Sequence, residues 1–113
     1  MAIDPKDMVD YAKELLGCNN TEIEYRNIIN RAYYGAFLVA RVDAKRKTGR
    51  EFSGGGCHKE LVDYYKDINS KLSNNLDVIR RLRGRSDYDI NENFGYSNAK
   101  DCCKRASKII SCL

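Results

Sequence analysis

Long apolar runs are absent from this sequence. No stretch of its 113 residues approaches the roughly 18 consecutive apolar residues that a membrane-spanning helix needs. The N-terminus, MAIDPKDMVDYAK, carries acidic residues and a proline where a secretory signal peptide needs a basic start and an apolar core. We therefore expect a cytoplasmic protein with no membrane partner.

Metal ligands in a recognisable arrangement are also lacking. The sequence has one histidine and five cysteines, and no two cysteines form a CxxC pair. Cys102 and Cys103 are adjacent, so on a helix they point to different sides and cannot both serve one ordinary site. The pattern favours reduced, mostly packed thiols and no cofactor over a redox or metal role. The other cysteines are Cys18, Cys57 and Cys112.

Helical periodicity is what the sequence has in quantity. The stretch 23–47 contains no proline, and its apolar residues recur at intervals of three and four. These residues are Ile28, Ala32, Ala36, Val39 and Ala40, with Ile29, Tyr33 and Phe37 beside them. A helix of about 25 residues is about 37 Å long, which predicts a central helix around which the others pack.

Capping signals mark where the first two helices begin. Asp4-Pro5 predicts the start of helix one, which runs to about Leu16, where Gly17 can form a left-handed cap. Thr21 and Glu24 have the spacing of a capping box at the start of helix two.

Apolar spacing predicts three further helices and no strand. Helix three runs from His58 to about Asn69, helix four runs from about Asn74 to Ser86 after a polar connection at 70–75, and the last helix is capped by Ser97. The stretch TGREFSGGGC between helices two and three predicts a mobile loop, and it lacks the Lys-Ser/Thr of a phosphate-binding P-loop. One all-α domain over residues 1–113 follows, an up-and-down bundle of four to five helices.

Basic residues are clustered although the net charge is only +4. Such clusters are compatible with phosphates or with an acidic protein partner. For the two clusters outside residues 80–85, solvated helix faces are the alternative. The clusters are Arg80, Arg81, Arg83 and Arg85; Arg41, Lys45, Arg46, Lys47 and Arg50; and Lys100, Lys104, Arg105 and Lys108.

Two stretches place polar and aromatic groups where bundle packing does not require them. Arg31 and Tyr34 lie in the middle of helix two, and Arg83 stands four residues before Asp87 at the end of helix four. At that spacing the carboxylate can hold the guanidinium in one orientation, which suits phosphate binding. The alternative is an ion pair that ends helix four, with the tyrosines in the core.

The motifs resemble the small stand-alone HEPN domains, whose members read RAYYAAFHAAR, then HKxV, then RxxADY. The corresponding segments here read DPKDMVDYAKELL, NRAYYGAFLVAR, CHKELVDYY and RLRGRSDY, in the same order from about Asp4 to Tyr88. The resemblance implies a helical bundle, often a homodimer, from toxin-antitoxin, phage-defence or other conflict systems. It also implies RNA as a partner, because many members are metal-independent ribonucleases with an Arg followed after four to six residues by His.

This chain departs from that motif at the histidine. Arg83 corresponds to the motif arginine, which would stabilise charge on the phosphate, but Tyr88 stands five residues later. A phenol is protonated at neutral pH and is a weak general base, and pairing with Arg83 would weaken Asp87 as a base. The single histidine, His58, matches the HKxV position, and a capping or surface role is its alternative.

Two hypotheses of different classes follow. In the first, the protein binds or cleaves RNA in a groove between helices two and four that contains Arg31, Tyr34, Arg83, Asp87 and Tyr88. In the second, it is a non-catalytic module of the antitoxin or immunity type, or a defence-system subunit, that holds a protein partner in the same groove. A role beside a nucleotidyltransferase is a third possibility that the resemblance alone raises.

Overall fold

The computed structural model describes residues 3–18 and 20–113, and over these residues the chain is helical with no strand. The helices are α1 (Pro5–Leu16), α2 (Glu22–Thr48), α3 (Cys57–Lys66), α4 (Ser70–Tyr88) and α5 (Tyr96–Ser111). The predicted all-α bundle is confirmed. Within the described ranges, no helix has both the length and the apolar character needed to cross a bilayer.

Helix α2 is the central element, as its periodicity predicts. It packs against each of the other four helices, and its 27 residues correspond to about 40 Å, close to the 41 Å long axis of the molecule. Its predicted apolar positions are buried except Val39, which is half-buried. The four neighbouring helices and the site described below cover much of its surface, while Ile23 and Val42 stay 73% and 44% exposed.

The predicted starts of α1 and α2 are confirmed. The Asp4 carboxylate accepts a hydrogen bond from the Lys6 backbone N–H at 3.0 Å, and Pro5 is the first helical residue. Thr21 and Glu24 form the reciprocal capping box. These signals are local, so sequence alone identifies them.

The boundary between α3 and α4 differs from the prediction. Residues 70–75, expected to be a polar connection, form the first turns of α4, because the Asn69 side chain caps the helix by accepting from Leu72 N–H. Helix α3 ends at Lys66, which leaves Ile68 56% exposed. Most residues of 70–75 are polar, which concealed the helical pattern, and Leu72 and Ser73 are the buried residues of this stretch.

Two caps also differ from expectation. Gly17 has φ −75°, so α1 ends without a left-handed residue, whereas Gly49 ends α2 with φ 77°. Helix α5 begins after Gly95 and not at Ser97, because the Asn98 side chain accepts from the Gly95 N–H at 3.0 Å.

The loop that precedes α3 is irregular, as predicted, but it is anchored. Phe52 is 3% exposed, packs against Tyr64 and adopts φ 49°, and Arg50 is paired with Glu60 at the start of α3. These contacts attach the loop to α3 and fix the position of its first turn, which contains Cys57 and His58.

The cysteines are free thiols, as predicted. Cys57, Cys102 and Cys103 are buried, and Cys18 and Cys112 are exposed. Three of the five thiols are therefore packed, in line with the expectation that most of them are.

Candidate functional site

One face of α2 carries a row of polar and aromatic side chains. Asn30, Tyr34, Phe37 and Arg41 follow one another at intervals of three and four residues, which places them on one side of the helix. Tyr33 lies next to this row and is fully buried. The face is completed by residues from α3 and α4.

Arg83 of α4 is held in position by a carboxylate. Its Nη1 donates to Asp87 Oδ2 at 3.0 Å, which confirms the predicted pair. Asn30 of α2 donates from Nδ2 to both Asp87 oxygens, at 3.0 and 3.3 Å. The carboxylate is thus fixed from a second helix, and the guanidinium orientation with it.

The guanidinium of Arg83 also lies against two aromatic rings. Its Cζ is 5.4 Å from the Tyr33 ring centroid and 5.2 Å from that of Tyr34. Burial by itself would lower the pKa of Arg83, but the Asp87 hydrogen bond and the charges around it raise the pKa above its ordinary value. The Arg83 side chain is 15% exposed, and among the described residues its buried Nε has no hydrogen-bond partner. Arg83 is therefore a permanent cation held in one orientation, with one of its N–H groups unused.

His58 contacts the same aromatic group. Its Nδ1 is 2.5 Å from the Tyr33 hydroxyl, and its ring stacks on Phe37 with centroids 4.1 Å apart. The Tyr34 ring meets it edge-on at 5.9 Å. Burial lowers the pKa of His58, and Arg83, Arg80 and Arg41 lower it further, so the imidazole is neutral at neutral pH.

Two further arginines border this group. Arg80, one turn before Arg83, pairs with Asp77 at 2.8 Å. The guanidinium carbon of Arg41 lies 5.6 Å from the centroid of the Phe37 ring. We call this set the Arg83–His58 cluster; it consists of Asn30, Tyr33, Tyr34, Phe37, Arg41, His58, Arg80, Arg83 and Asp87. Its charges are predominantly positive around a neutral imidazole.

The structure separates two predicted residues from this cluster. Arg31 directly follows Asn30 on α2, and adjacent residues of a helix point in different directions. Arg31 therefore points towards α1, where its guanidinium carbon lies 5.4 Å from the centroid of the Tyr11 ring. Tyr88 ends α4 with 80% of its surface exposed, whereas Asp87 turns towards α2. The predicted groove containing both residues is therefore corrected to one without them.

Arg81 and Arg85 also lie elsewhere. They line a groove between α4 and α5 that includes Asp101. Arg81 pairs with Asp77 at 2.9 Å and Arg85 with Glu92 at 3.1 Å. Of the four clustered α4 arginines, only Arg80 and Arg83 belong to the Arg83–His58 cluster.

Sequence reasoning did not assign Asn30, Phe37 or Arg41 to the site. Phe37 reads as a core residue, and Arg41 reads as part of a basic helix end. The available signal was their shared helical face with Tyr34. The juxtaposition of His58 with Tyr33, 25 residues earlier in the chain, has no local signal.

No metal-binding arrangement accompanies the cluster. In the part of the chain that the structure describes, no three His, Cys, Asp or Glu side chains are grouped so that they could hold a metal ion. Arginines, a neutral imidazole and phenol rings are instead groups that contact phosphates and stack with planar ligands.

No protein-family model, curated protein or solved structure shows a significant match to this chain. The HEPN resemblance thus stays an expectation, and function is inferred from the geometry of the cluster.

Proposed function

We propose that this protein binds single-stranded RNA, with a backbone phosphate held at the Arg83–His58 cluster. The observation that carries the proposal is Arg83 itself, an arginine fixed by Asp87 and two tyrosine rings beside the only histidine. A preoriented guanidinium loses little side-chain freedom on binding an anion, so it binds more tightly than a solvated arginine.

Neighbouring charges favour the same ligand. Besides burial and Arg83, the charges of Arg80 on α4 and Arg41 on α2 lower the pKa of His58, so cations from two helices act at this position. A chain of phosphates can contact such a surface at successive positions and release counterions on binding. Tyr34 is half-buried, so part of it is reached by solvent, and aromatic side chains are groups on which unpaired bases stack.

The arrangement favours binding over cleavage. Cleavage through the ribose 2′-OH needs a group that accepts its proton near the phosphate. Both Asp87 oxygens already accept hydrogen bonds from Asn30, one of them also from Arg83, and Tyr88 lies away from Arg83. The ribonuclease activity implied by the HEPN resemblance is therefore a separate question, answered by incubating end-labelled RNA with the protein in excess EDTA.

Fluorescence anisotropy with a labelled single-stranded RNA tests the proposal. Arg83→Gln removes the fixed cation, and Arg105→Gln is the matched control because Arg105 also pairs with an aspartate one helical turn away, Asp101 at 2.9 Å. We expect wild type and R105Q to bind alike and R83Q to bind roughly 10-fold or more weakly, as for loss of a charged hydrogen bond. Equal affinity of R83Q and R105Q would refute the assignment.

A protein partner is the second candidate function. Tyr88 at the end of α4 is 80% exposed and Ile90, two residues later, is 87% exposed, and exposed apolar residues that form a contiguous patch are typical of docking surfaces. Copurification of a stoichiometric protein, lost on Tyr88→Ser with Ile90→Ser, would support this function. If the wild type forms such a complex and binds no RNA, the protein-partner function replaces the RNA proposal.

A further inference from the structure

We propose that Tyr33 is a positioning residue that fixes His58 in the tautomer protonated at Nε2, so that His58 offers a hydrogen-bond donor to a phosphate oxygen. The identity of that ligand rests on the proposed function, whereas the tautomer is a property of the free protein.

Among the described residues, one hydrogen-bond acceptor is within reach of the Tyr33 hydroxyl. The residue is 0% exposed, so solvent does not serve as its partner. Over the described residues its hydroxyl makes one hydrogen bond, the 2.5 Å contact with His58 Nδ1. A buried hydroxyl donates wherever an acceptor exists, because an unused buried donor is costly. Tyr33 therefore donates, Nδ1 accepts, and the proton of the neutral imidazole is on Nε2.

The opposite arrangement satisfies fewer groups. If Nδ1 carried the proton and donated to Tyr33, the phenol proton would have no acceptor in the buried space around it. Deprotonating the phenol does not remove the problem, because burial raises the pKa of Tyr33 well above its ordinary value. The Tyr33 ring is also held in place, stacked on Phe37 at 5.9 Å with Arg83 against its face.

The ring of His58 is restrained in the same way. It is stacked 4.1 Å from Phe37 and meets the edge of Tyr34, so the Nδ1 side stays directed at Tyr33. The groups that act on it are the cations Arg41, Arg80 and Arg83 and the neutral phenols Tyr33 and Tyr34. Among the described residues, none of these groups accepts a hydrogen bond from Nε2.

A neutral N–H donor beside arginines selects the chemistry of its ligand. It complements an oxygen that only accepts, such as a phosphodiester oxygen, and it does not abstract a proton from a ribose hydroxyl. At this contact the site therefore recognises the phosphate and does not require the 2′-OH. His58 should strengthen binding of RNA and of single-stranded DNA of the same sequence by the same factor.

Nitrogen NMR of the imidazole tests the tautomer directly. The chain contains one histidine, so ¹⁵N-labelled protein without added histidines gives a single imidazole pattern in long-range ¹H–¹⁵N spectra. We expect Nε2 to be the protonated nitrogen and Nδ1 the unprotonated one at neutral pH. A protonated Nδ1 in the wild type overturns the proposal without bearing on whether RNA binds.

Two matched variants assign the effect to Tyr33. Tyr33→Phe keeps the ring but removes the hydroxyl, and we expect the ratio of Nε2–H to Nδ1–H to fall about 5- to 10-fold, the factor that one net hydrogen bond supplies. Tyr34→Phe, which removes the hydroxyl of the adjacent ring, should leave the ratio unchanged. Circular dichroism checks that both variants fold. An unchanged ratio in Y33F overturns the positioning role.

Adding an RNA oligonucleotide and then its DNA counterpart to the wild-type sample separates the two proposals. We expect Nε2 to stay protonated in both complexes and to shift in both. Loss of the Nε2 proton with RNA alone overturns the donor role. Absence of RNA binding refutes the proposed function and leaves the tautomer standing.

Discussion

Replacing Gly35 with alanine should destabilise the fold, because α1 crosses α2 at this residue. A methyl group at Gly35 would lie 2.7 Å from Val9 Cγ2, 2.9 Å from the Pro5 carbonyl oxygen and 3.1 Å from Met8 Cβ. Contacts shorter than 3.0 Å force a shift, and here one of the atoms is backbone at the start of α1. The helices must therefore move apart.

The magnitude follows from two opposing effects. Overpacking of a core costs about 1–3 kcal/mol, and the backbone contact places this site near 3. Alanine gains about 1 kcal/mol over glycine inside a helix. We expect a net loss of about 2 kcal/mol.

Gly84 is the matched control, since it is also inside a helix but a methyl group there meets no atom within 4 Å. Gly84→Ala should gain up to about 1 kcal/mol. Urea unfolding followed by circular dichroism measures both values. Stabilisation by Gly35→Ala, equal to that by Gly84→Ala, would refute the close approach of α1 and α2.

Three further predictions concern the site and its supports. Folding lowers the pKa of His58 from its ordinary value of 6.5, so below about pH 6.5 the unfolded chain binds more protons than the folded protein. The free energy of unfolding of the wild type should therefore fall as the pH decreases through that range, whereas that of His58→Gln should change less with pH. Parallel pH profiles of the two proteins in urea unfolding would contradict the lowered pKa. Arg26 donates to the carbonyl oxygens of Ser86, Asp89 and Glu92 at 2.9, 3.0 and 2.5 Å. Arg26→Ala should therefore lower the free energy of unfolding by about 2–3 kcal/mol and speed amide hydrogen exchange in residues 89–95. Unchanged exchange in these residues would argue against Arg26 as their anchor. Cys18 and Cys112 should react with a thiol reagent in the native protein, whereas the three buried thiols should react only after unfolding, because packing keeps the reagent away from them. Burial also raises the pKa of Cys103 to about 11 and that of Cys102 further, which leaves less reactive thiolate; rapid reaction of all five thiols would contradict the packing.

Local chemistry explains which parts of the fold could be predicted from the sequence. The capping box at Thr21 and the periodicity of α2 depend on residues a few positions apart, so the local sequence is enough to predict both. The start of α4 could not be predicted in the same way. Asn69 caps the helix by accepting from the N–H of the buried Leu72, but the polar residues between the two resemble a turn.

The candidate site was predictable only in part for the same reason. The Arg83–Asp87 pair is one helical turn long, and the sequence predicts it. The Asn30 support for Asp87 spans 57 residues and the Tyr33 contact with His58 spans 25. These contacts depend on how three helices pack, which no local spacing encodes.

The most direct test of the central claim is an NMR titration of the wild-type protein with a short single-stranded RNA, following the imidazole of His58. Binding at the Arg83–His58 cluster should shift the His58 signals in proportion to saturation measured by anisotropy. Arg83→Gln should weaken both changes together. RNA that binds while the His58 signals stay unmoved, or wild-type protein that binds no RNA, would contradict the account.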